Sequence, residues 1–221
     1  MLNGDISGVL LVYIYVVILL IATEKLLEKW PETSRKVLHI MVGNIAFLLP
    51  IFITAEVMAF VAAGPFILFT FLMSPYTPIK SIRGRTSAAG HGMGLVYYAI
   101  TWTILAYVFF DNMVVIAIAI LAMSYGDGFA SIIGIRFGKK KYNVCGDEKS
   151  YIGSFAMFVF TFITMIIAVL YYGVDISKYL LLVLLIISFV AAVVEGITPK
   201  GLDNLTVPFS AVLIYWYLLL L

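Results

Sequence analysis

The residues best suited to chemistry fall in three short stretches. The first runs Gly126-Asp127-Gly128-Phe129-Ala130-Ser131 and continues through Gly134 and Gly138 into Lys139-Lys140-Lys141. It sets a carboxylate, a row of small residues and three lysines at the end of one apolar segment. The second, Glu148-Lys149-Ser150-Tyr151-Ile152-Gly153-Ser154, sets a lysine, hydroxyls and a glycine at the start of the next. The third passes from Val194-Glu195-Gly196 to Leu202-Asp203-Asn204. Asp127, Glu195, Asp203 and Asn204 offer hard oxygen ligands of the kind that hold Mg²⁺ together with the phosphates of a nucleotide. Free amides at a helix N-terminus attract phosphate, and Ser150, Gly153 and Ser154 allow close approach there. Lys139, Lys140 and Lys149 could neutralise a polyphosphate. The chain has no Gly-x-x-x-x-Gly-Lys-[Ser/Thr] loop, so the common P-loop is excluded.

Each feature also has a plainer reading. Asp127, Ser131, Gly134 and Gly138 share one helix face, where Gly134 and Gly138 could serve only close helix packing. The lysine run could be a topology anchor. Ser150 or Ser154 could be an ordinary N-cap, and Asp203-Asn204 a turn and cap. Asp127 could be paired with a nearby lysine at a helix end. Two further basic sites precede apolar segments: Arg35-Lys36-Val37-Leu38-His39 and Arg83-Gly84-Arg85-Thr86. Arg35, Lys36, Arg83 and Arg85 suit phosphate or lipid headgroups, or topology alone. His39 could orient a phosphate or move a proton, or be a paired interfacial histidine.

The elements that must position these groups are membrane helices. The chain is 63% hydrophobic and 12% charged, too apolar for a soluble domain of 221 residues. The apolar runs are continuous and do not alternate, so the fold class is all-α, a polytopic membrane protein of about eight transmembrane helices. The expected spans are 6–23, 37–53, 56–73, 93–110, 113–133, 153–172, 178–195 and 205–221, each close to the ~20 residues needed to cross the hydrocarbon. With no repeat or long linker, residues 1–221 read as a single domain. The first span lacks a basic flank and a cleavage site, so it does not read as a removable signal peptide.

With the N-terminus outside, the alternate loops 24–36, 74–92, 134–152 and 196–204 hold all but Lys178 of the 14 Lys and Arg residues. The positive-inside rule then makes those loops cytoplasmic and puts both termini outside. Asp127 lies ~21 Å along a helix from Asn112, near the inner edge of the hydrocarbon. A carboxylate there costs a few kcal/mol, on the order of 3, unless paired, hydrated or metal-bound. The net charge of +2 is too small to point to nucleic acid. The single cysteine, Cys145, cannot form an internal disulfide and carries no metal signature. A multi-pass chain without a transit peptide fits a prokaryotic plasma membrane, with the chemistry on its cytoplasmic face. Oligomeric state is not legible.

In order and placement, Asp127 to Lys139, Lys149 to Ser154 and Glu195 to Pro208 resemble the CTP-dependent polyprenol kinase family, which includes dolichol, phytol and farnesol kinases. Arg35-Lys36-x-x-His39 and Gly94 to Tyr98 also resemble it, so the likeness runs from about residue 35 to 208. The resemblance implies transfer of the γ-phosphate of CTP to the hydroxyl of an isoprenoid alcohol dissolved in the bilayer: a polyprenol or dolichol, geranylgeraniol or phytol. Mg²⁺ would be the cofactor. It further implies that Lys139, Lys140 and Lys149 neutralise the triphosphate, that Ser150, Gly153 and Ser154 cradle it, and that Asp127 and Asp203 hold the metal. Glu195 would be a third ligand or the base; Asp127, Glu195 and His39 are not ranked for that role. The extra N-terminal spans frequent in dolichol kinases are lacking here, which leaves geranylgeraniol, phytol, a dolichol-type polyprenol and a diradylglycerol lipid all open as the alcohol. A cytidylyltransferase making a CDP-lipid needs the same nucleotide, metal and interface. A secondary transporter also carries membrane carboxylates and interrupted helices, but near the midplane and in repeats.

Overall fold

The computed structural model describes residues 3–77 and 93–220. Helix α1 spans Asn3–Leu26. Helix α2, Pro31–Val42, continues through 3₁₀ turns at Gly43–Phe47 and Leu49–Ile51. A π-helical turn, Val57–Ala63, leads into α3 (Pro65–Met73). Helix α4 is Gly94–Val108. Helix α5, Met113–Leu121, passes through a second π-helical turn, Ala122–Gly126, into α6, Asp127–Phe137. An antiparallel hairpin of β1 (Lys141–Val144) and β2 (Asp147–Ser150) precedes α7 (Tyr151–Tyr171), α8 (Lys178–Ile197) and α9 (Asp203–Leu219).

The expected apolar stretches are mostly helical over their described residues. Among the described residues, five helices are long and apolar enough to cross a membrane: Asn3–Leu26, Thr33–Ile51, Phe110–Phe137, Tyr151–Tyr171 and Lys178–Ile197. The segments Val57–Met73 and Gly94–Val108 are shorter, and α9 has 17 residues. The second segment begins earlier than hydropathy alone suggests. Pro31, which suits the first helical turn because its missing N–H would have no partner there, starts α2 and brings Arg35 and Lys36 onto the helix.

Helix α5 is the axis of the bundle. It is apolar all round, the pattern of a helix enclosed by others, and Val115 to Leu121 are each no more than 1% exposed. Helices α4, α7 and α9 pack around it. Helix α1 is equally apolar but lies at the periphery. Its stripe Gly8, Val12, Val16, Leu19 and Thr23 is buried, whereas Leu10, Ile14 and Ile18 are more than half exposed. An apolar face left open is what a lipid-facing helix requires.

The hairpin is a departure from the all-α expectation. Between α6 and α7 the chain turns at Cys145 (φ 50°) and Gly146 (φ 97°), and β1 pairs with β2 from Lys141–Ser150 to Val144–Asp147. The left-handed backbone at the turn is natural for glycine and uncommon for other residues. These polar residues carry no hydropathy signal that would separate a hairpin from a loop. The Cys145 thiol is free and exposed.

Candidate functional site

The site forms where α2, α6, the hairpin, α7, the end of α8 and the start of α9 converge. The π-helical turn ahead of Asp127 decides where that residue points. Such turns insert an extra residue into the helical ladder and are frequent at functional sites. Small residues fix this one. A side chain at Gly43 would strike Ser124, one at Gly126 would strike Thr161 and Met157, and one at Gly128 would strike Ile40. Close approach of α2 and α7 therefore locks the kink from both sides.

Asp127 is buried on the first turn of α6. Lys36 Nζ donates to both of its oxygens, at 2.8 and 3.1 Å. His39 Nε2 lies 3.6 Å from Asp127 Oδ2 and 3.1 Å from the Met123 carbonyl oxygen. The His39 ring packs on Tyr98 with centroids 4.5 Å apart. Glu195 is buried near the end of α8, where Lys149 Nζ donates to its Oε1 at 2.7 Å and also to its backbone carbonyl. Asp203 Oδ2 lies 3.8 Å from the same ammonium. Burial pulls the Lys149 ammonium towards the neutral form, but Glu195 and then Asp203 more than reverse this and raise its pKa above the ordinary lysine value. A left-handed pair, Lys200 (φ 58°) and Gly201 (φ 76°), turns the chain between α8 and α9 and brings Asp203 and Asn204 back over Glu195.

Three carboxylates from three helices thus meet. One oxygen each of Asp127, Glu195 and Asp203 lies within 4.8 Å of the other two. Oxygens on opposite sides of Mg²⁺ stand about 4.2 Å apart, given bonds of ~2.1 Å, so small side-chain rotations would close the set around that ion. Asn204 Nδ2 donates to the Gly201 carbonyl and to Asp203, but its Oδ1 is buried with no hydrogen-bond partner. Buried acceptors left unpaired are rare and costly. Three carboxylate oxygens and a spare amide oxygen are a donor set that fits a hard divalent cation.

A cavity of about 330 Å³ opens over these groups. On its far side Ser150 caps α7, its Oγ accepting from Gly153 N at 3.2 Å. Ser154 Oγ and the Tyr142 hydroxyl are 2.7 Å apart. Gly134 and Gly153 let α6 and α7 approach closely around Ser150, and Gly138 packs on the same serine. Arg35 lines the cavity, and its Nε is buried without a partner. The structure therefore brings together Asp127, Glu195, Asp203, Asn204, His39, Arg35, Lys36, Gly134, Lys149, Ser150, Gly153 and Ser154. Lys139 and Lys140 are exposed and stand outside the lining, whereas the next lysine, Lys141, belongs to it and is held 2.5 Å from Glu148. Arg83 and Arg85 lie outside the described residues. Sequence reasoning gave no separate role to Lys141 and passed over Asp147, both of which reach the cavity through the hairpin. Pairing of Lys36 with Asp127 across 91 positions had no local signal.

Comparison with known proteins identifies the family. The chain is 31% identical over 187 residues to the phytol kinase of Synechocystis, covering 84% of this chain and 78% of that protein. The chain belongs to the phytol kinase family. Phytol kinase 1, chloroplastic, of Arabidopsis thaliana is 32% identical over 199 residues, 81% of this chain and 64% of that one. The probable phytol kinase 3, chloroplastic, of Glycine max is 34% identical over 200 residues, 83% and 62% of the two chains. No family model and no solved structure matches the chain. The family membership and the membrane-length helices make this a membrane protein of the kinase class, with the carboxylate cluster as its candidate catalytic centre.

Proposed function

We propose that this protein transfers the γ-phosphate of CTP to the hydroxyl of an isoprenoid alcohol held in the membrane, with Mg²⁺ as cofactor, at the cytoplasmic face. The phytol kinases among its relatives support an alcohol of the phytol, geranylgeraniol or polyprenol type. CTP as donor follows from the resemblance of the motifs, and the cytoplasmic face from the lysine and arginine distribution. The observation that carries the reading is the meeting of Asp127, Glu195 and Asp203 beside Lys149 and the N-terminus of α7. That arrangement offers charge neutralisation and a phosphate cradle in one polar cleft, which is most of what phosphoryl transfer asks of a protein.

The roles divide across the cleft. Ser150, Gly153, Ser154 and the start of α7 would bind the phosphates. Lys149 and Arg35 would balance their charge, and Lys36 would join them once a cation replaces it against Asp127. Asp127, Glu195, Asp203 and Asn204 would hold Mg²⁺, which when bound supplies neutralisation of the developing charge on the triphosphate. In the reaction the alcohol oxygen bonds to the γ-phosphorus and the bond to the β,γ-bridging oxygen breaks. CDP leaves, and the hydroxyl proton passes to a carboxylate. Asp127 and Glu195 are the candidate acceptors. The Met123 carbonyl is an acceptor, so His39 Nε2 is read as the donor to it, which fixes the ring beside Asp127 at 3.6 Å.

The test is direct. Purified protein in mild detergent with Mg²⁺ receives CTP labelled on the γ- or the α-phosphate, with geranylgeraniol, phytol, diacylglycerol and phosphatidate as acceptors and ATP as a parallel donor. Label from the γ-position in an isoprenyl monophosphate, with CDP released, is the expected result. Label from the α-position in a lipid with pyrophosphate released would replace the kinase reading with a CDP-lipid synthase.

A further inference from the structure

Beside the polar cleft lies a second cavity of a different kind. It has a volume of about 110 Å³ and is lined by α1, α2, the turn at Val57–Ala63, α3 and α4. Val12 and Val16 of α1 face Ala62, Phe66, Ala99 and Trp102 across it. Its polar side chains are nearly all occupied elsewhere. The Thr70 hydroxyl donates to the Phe66 carbonyl at 2.7 Å, the Tyr98 and Ser124 hydroxyls share a bond of 2.9 Å, and His39 Nε2 faces the Met123 carbonyl. Among these lining groups the Trp102 indole N–H makes no hydrogen bond of good geometry and lies beside the Tyr98 hydroxyl. Two residues, His39 and Leu95, line both this cavity and the polar cleft. His39 is the hinge between them: its ring rests on Tyr98 in the apolar wall, and its Nε2 lies 3.6 Å from the Asp127 carboxylate.

We infer that the apolar cavity receives the isoprene unit next to the reacting hydroxyl and thereby selects isoprenoid alcohols against diacylglycerol. The inference rests on the kinase reading above and adds to it the structural source of substrate choice. Size supports it. An apolar cavity of ~150 Å³ in another protein stays dry and takes up benzene, so 110 Å³ suits one branched five-carbon unit and not a whole chain. Position supports it too. A unit seated between Val16 and Trp102 would direct its hydroxyl past His39 and Leu95 to Asp127, while the rest of the chain leaves between helices into lipid. Diacylglycerol carries two ester groups within a few atoms of its hydroxyl. Seated here they would lose their water and find one indole N–H between them, so the wall rejects that head.

Val16→Phe and Ala62→Phe fill the cavity without touching any carboxylate. With the wild type as reference, each is expected to lower kcat/KM for geranylgeraniol about tenfold or more, the range in which a methylene-sized misfit operates in an apolar pocket, while CTP affinity is unchanged. Overpacking could stop these variants from folding. A second measurement on the wild type therefore uses geranylgeraniol with a photoreactive diazirine on its first isoprene unit. Crosslinks are expected in residues 12–16 and 95–106. Folded variants that bind CTP and phosphorylate geranylgeraniol at the wild-type rate would overturn the inference. So would crosslinks confined to the open apolar surface at Phe155 and Phe189, with the kinase reading left standing. A wild type that labels diacylglycerol as readily as geranylgeraniol would also overturn it. Failure of the wild type to phosphorylate any isoprenoid alcohol would instead bring down the kinase reading, and this inference with it.

Discussion

Two buried carboxylates, Asp5 and Asp127, sit at different places in the bundle and are satisfied in different ways. Asp5, at the start of α1, accepts from the amides of Ile53 and Thr54 at 2.9 and 3.1 Å and from the Thr54 hydroxyl at 3.1 Å. Two of these three bonds come from backbone amides, fixed in place, and they tie the start of α1 to the chain that leaves the second segment. Asp127 has side-chain partners: the ammonium of Lys36 and the imidazole of His39. Those groups can move or exchange for a cation, and two more carboxylates stand beside them. Burial of a carboxylate in an apolar chain therefore does not by itself mark chemistry. Partners that can be displaced, together with an adjoining cavity, do.

The sharpest division between the two should come from Asp127→Asn. It keeps the shape and removes the charge, and it is expected to lower turnover about 10³-fold, the scale of losing one electrostatic stabiliser of a transition state, with the protein still folded by size exclusion and thermal melting. A folded variant with full label transfer would remove Asp127 from the catalytic centre. Lys36→Met leaves the Asp127 charge buried and uncompensated, so it should destabilise by about 3 kcal/mol. The double variant Lys36→Met with Asp127→Leu should recover much of that loss in thermal melts. Simple addition of the two single effects would mean the pair is not coupled.

Asp5→Ala is the converse test. It strands two backbone amides and should cost about 2 kcal/mol of stability, yet turnover per folded molecule should match the wild type; a selective loss of turnover would join the two regions functionally. Ser150→Ala removes the cap of α7 and should cost about 1 kcal/mol, with a raised KM for CTP and little change in KM for the alcohol. The smallest effect is expected from Lys139→Ala combined with Lys140→Ala. These exposed ammonium groups lie outside the cleft lining, and solvent screens them, so KM for CTP should move by less than about twofold, against a large rise for Lys149→Ala.

Much of this was legible in the sequence. Hydropathy is a sum over neighbouring residues, so the apolar stretches, and the carboxylates Asp127 and Glu195 at their ends, stand out without any knowledge of packing. A polar Asn44 inside an apolar run also points to a bond between helices, and it accepts from Tyr125 and donates to Tyr15. Other features had no local trace. The hairpin of Lys141–Ser150 reads as a polar loop, and the π-helical turn at Ala122–Gly126 reads as unbroken helix.

The sequence by itself determined that the chain forms apolar helices, that carboxylates and lysines stand at the ends of apolar runs, and that its motifs resemble the polyprenol kinase family, which includes phytol kinases. Those properties depend on residue type and short-range order. Only the tertiary structure decided which charges meet. Lys36 reaches Asp127 across 91 positions and Lys149 reaches Glu195 across 46, because α2, α6, α7 and α8 are packed together by small residues and apolar contacts far from the charges themselves. The same packing left an apolar cavity beside a polar one, with His39 between them. Neither cavity belongs to any one segment, so no reading of the segments one at a time could have found them.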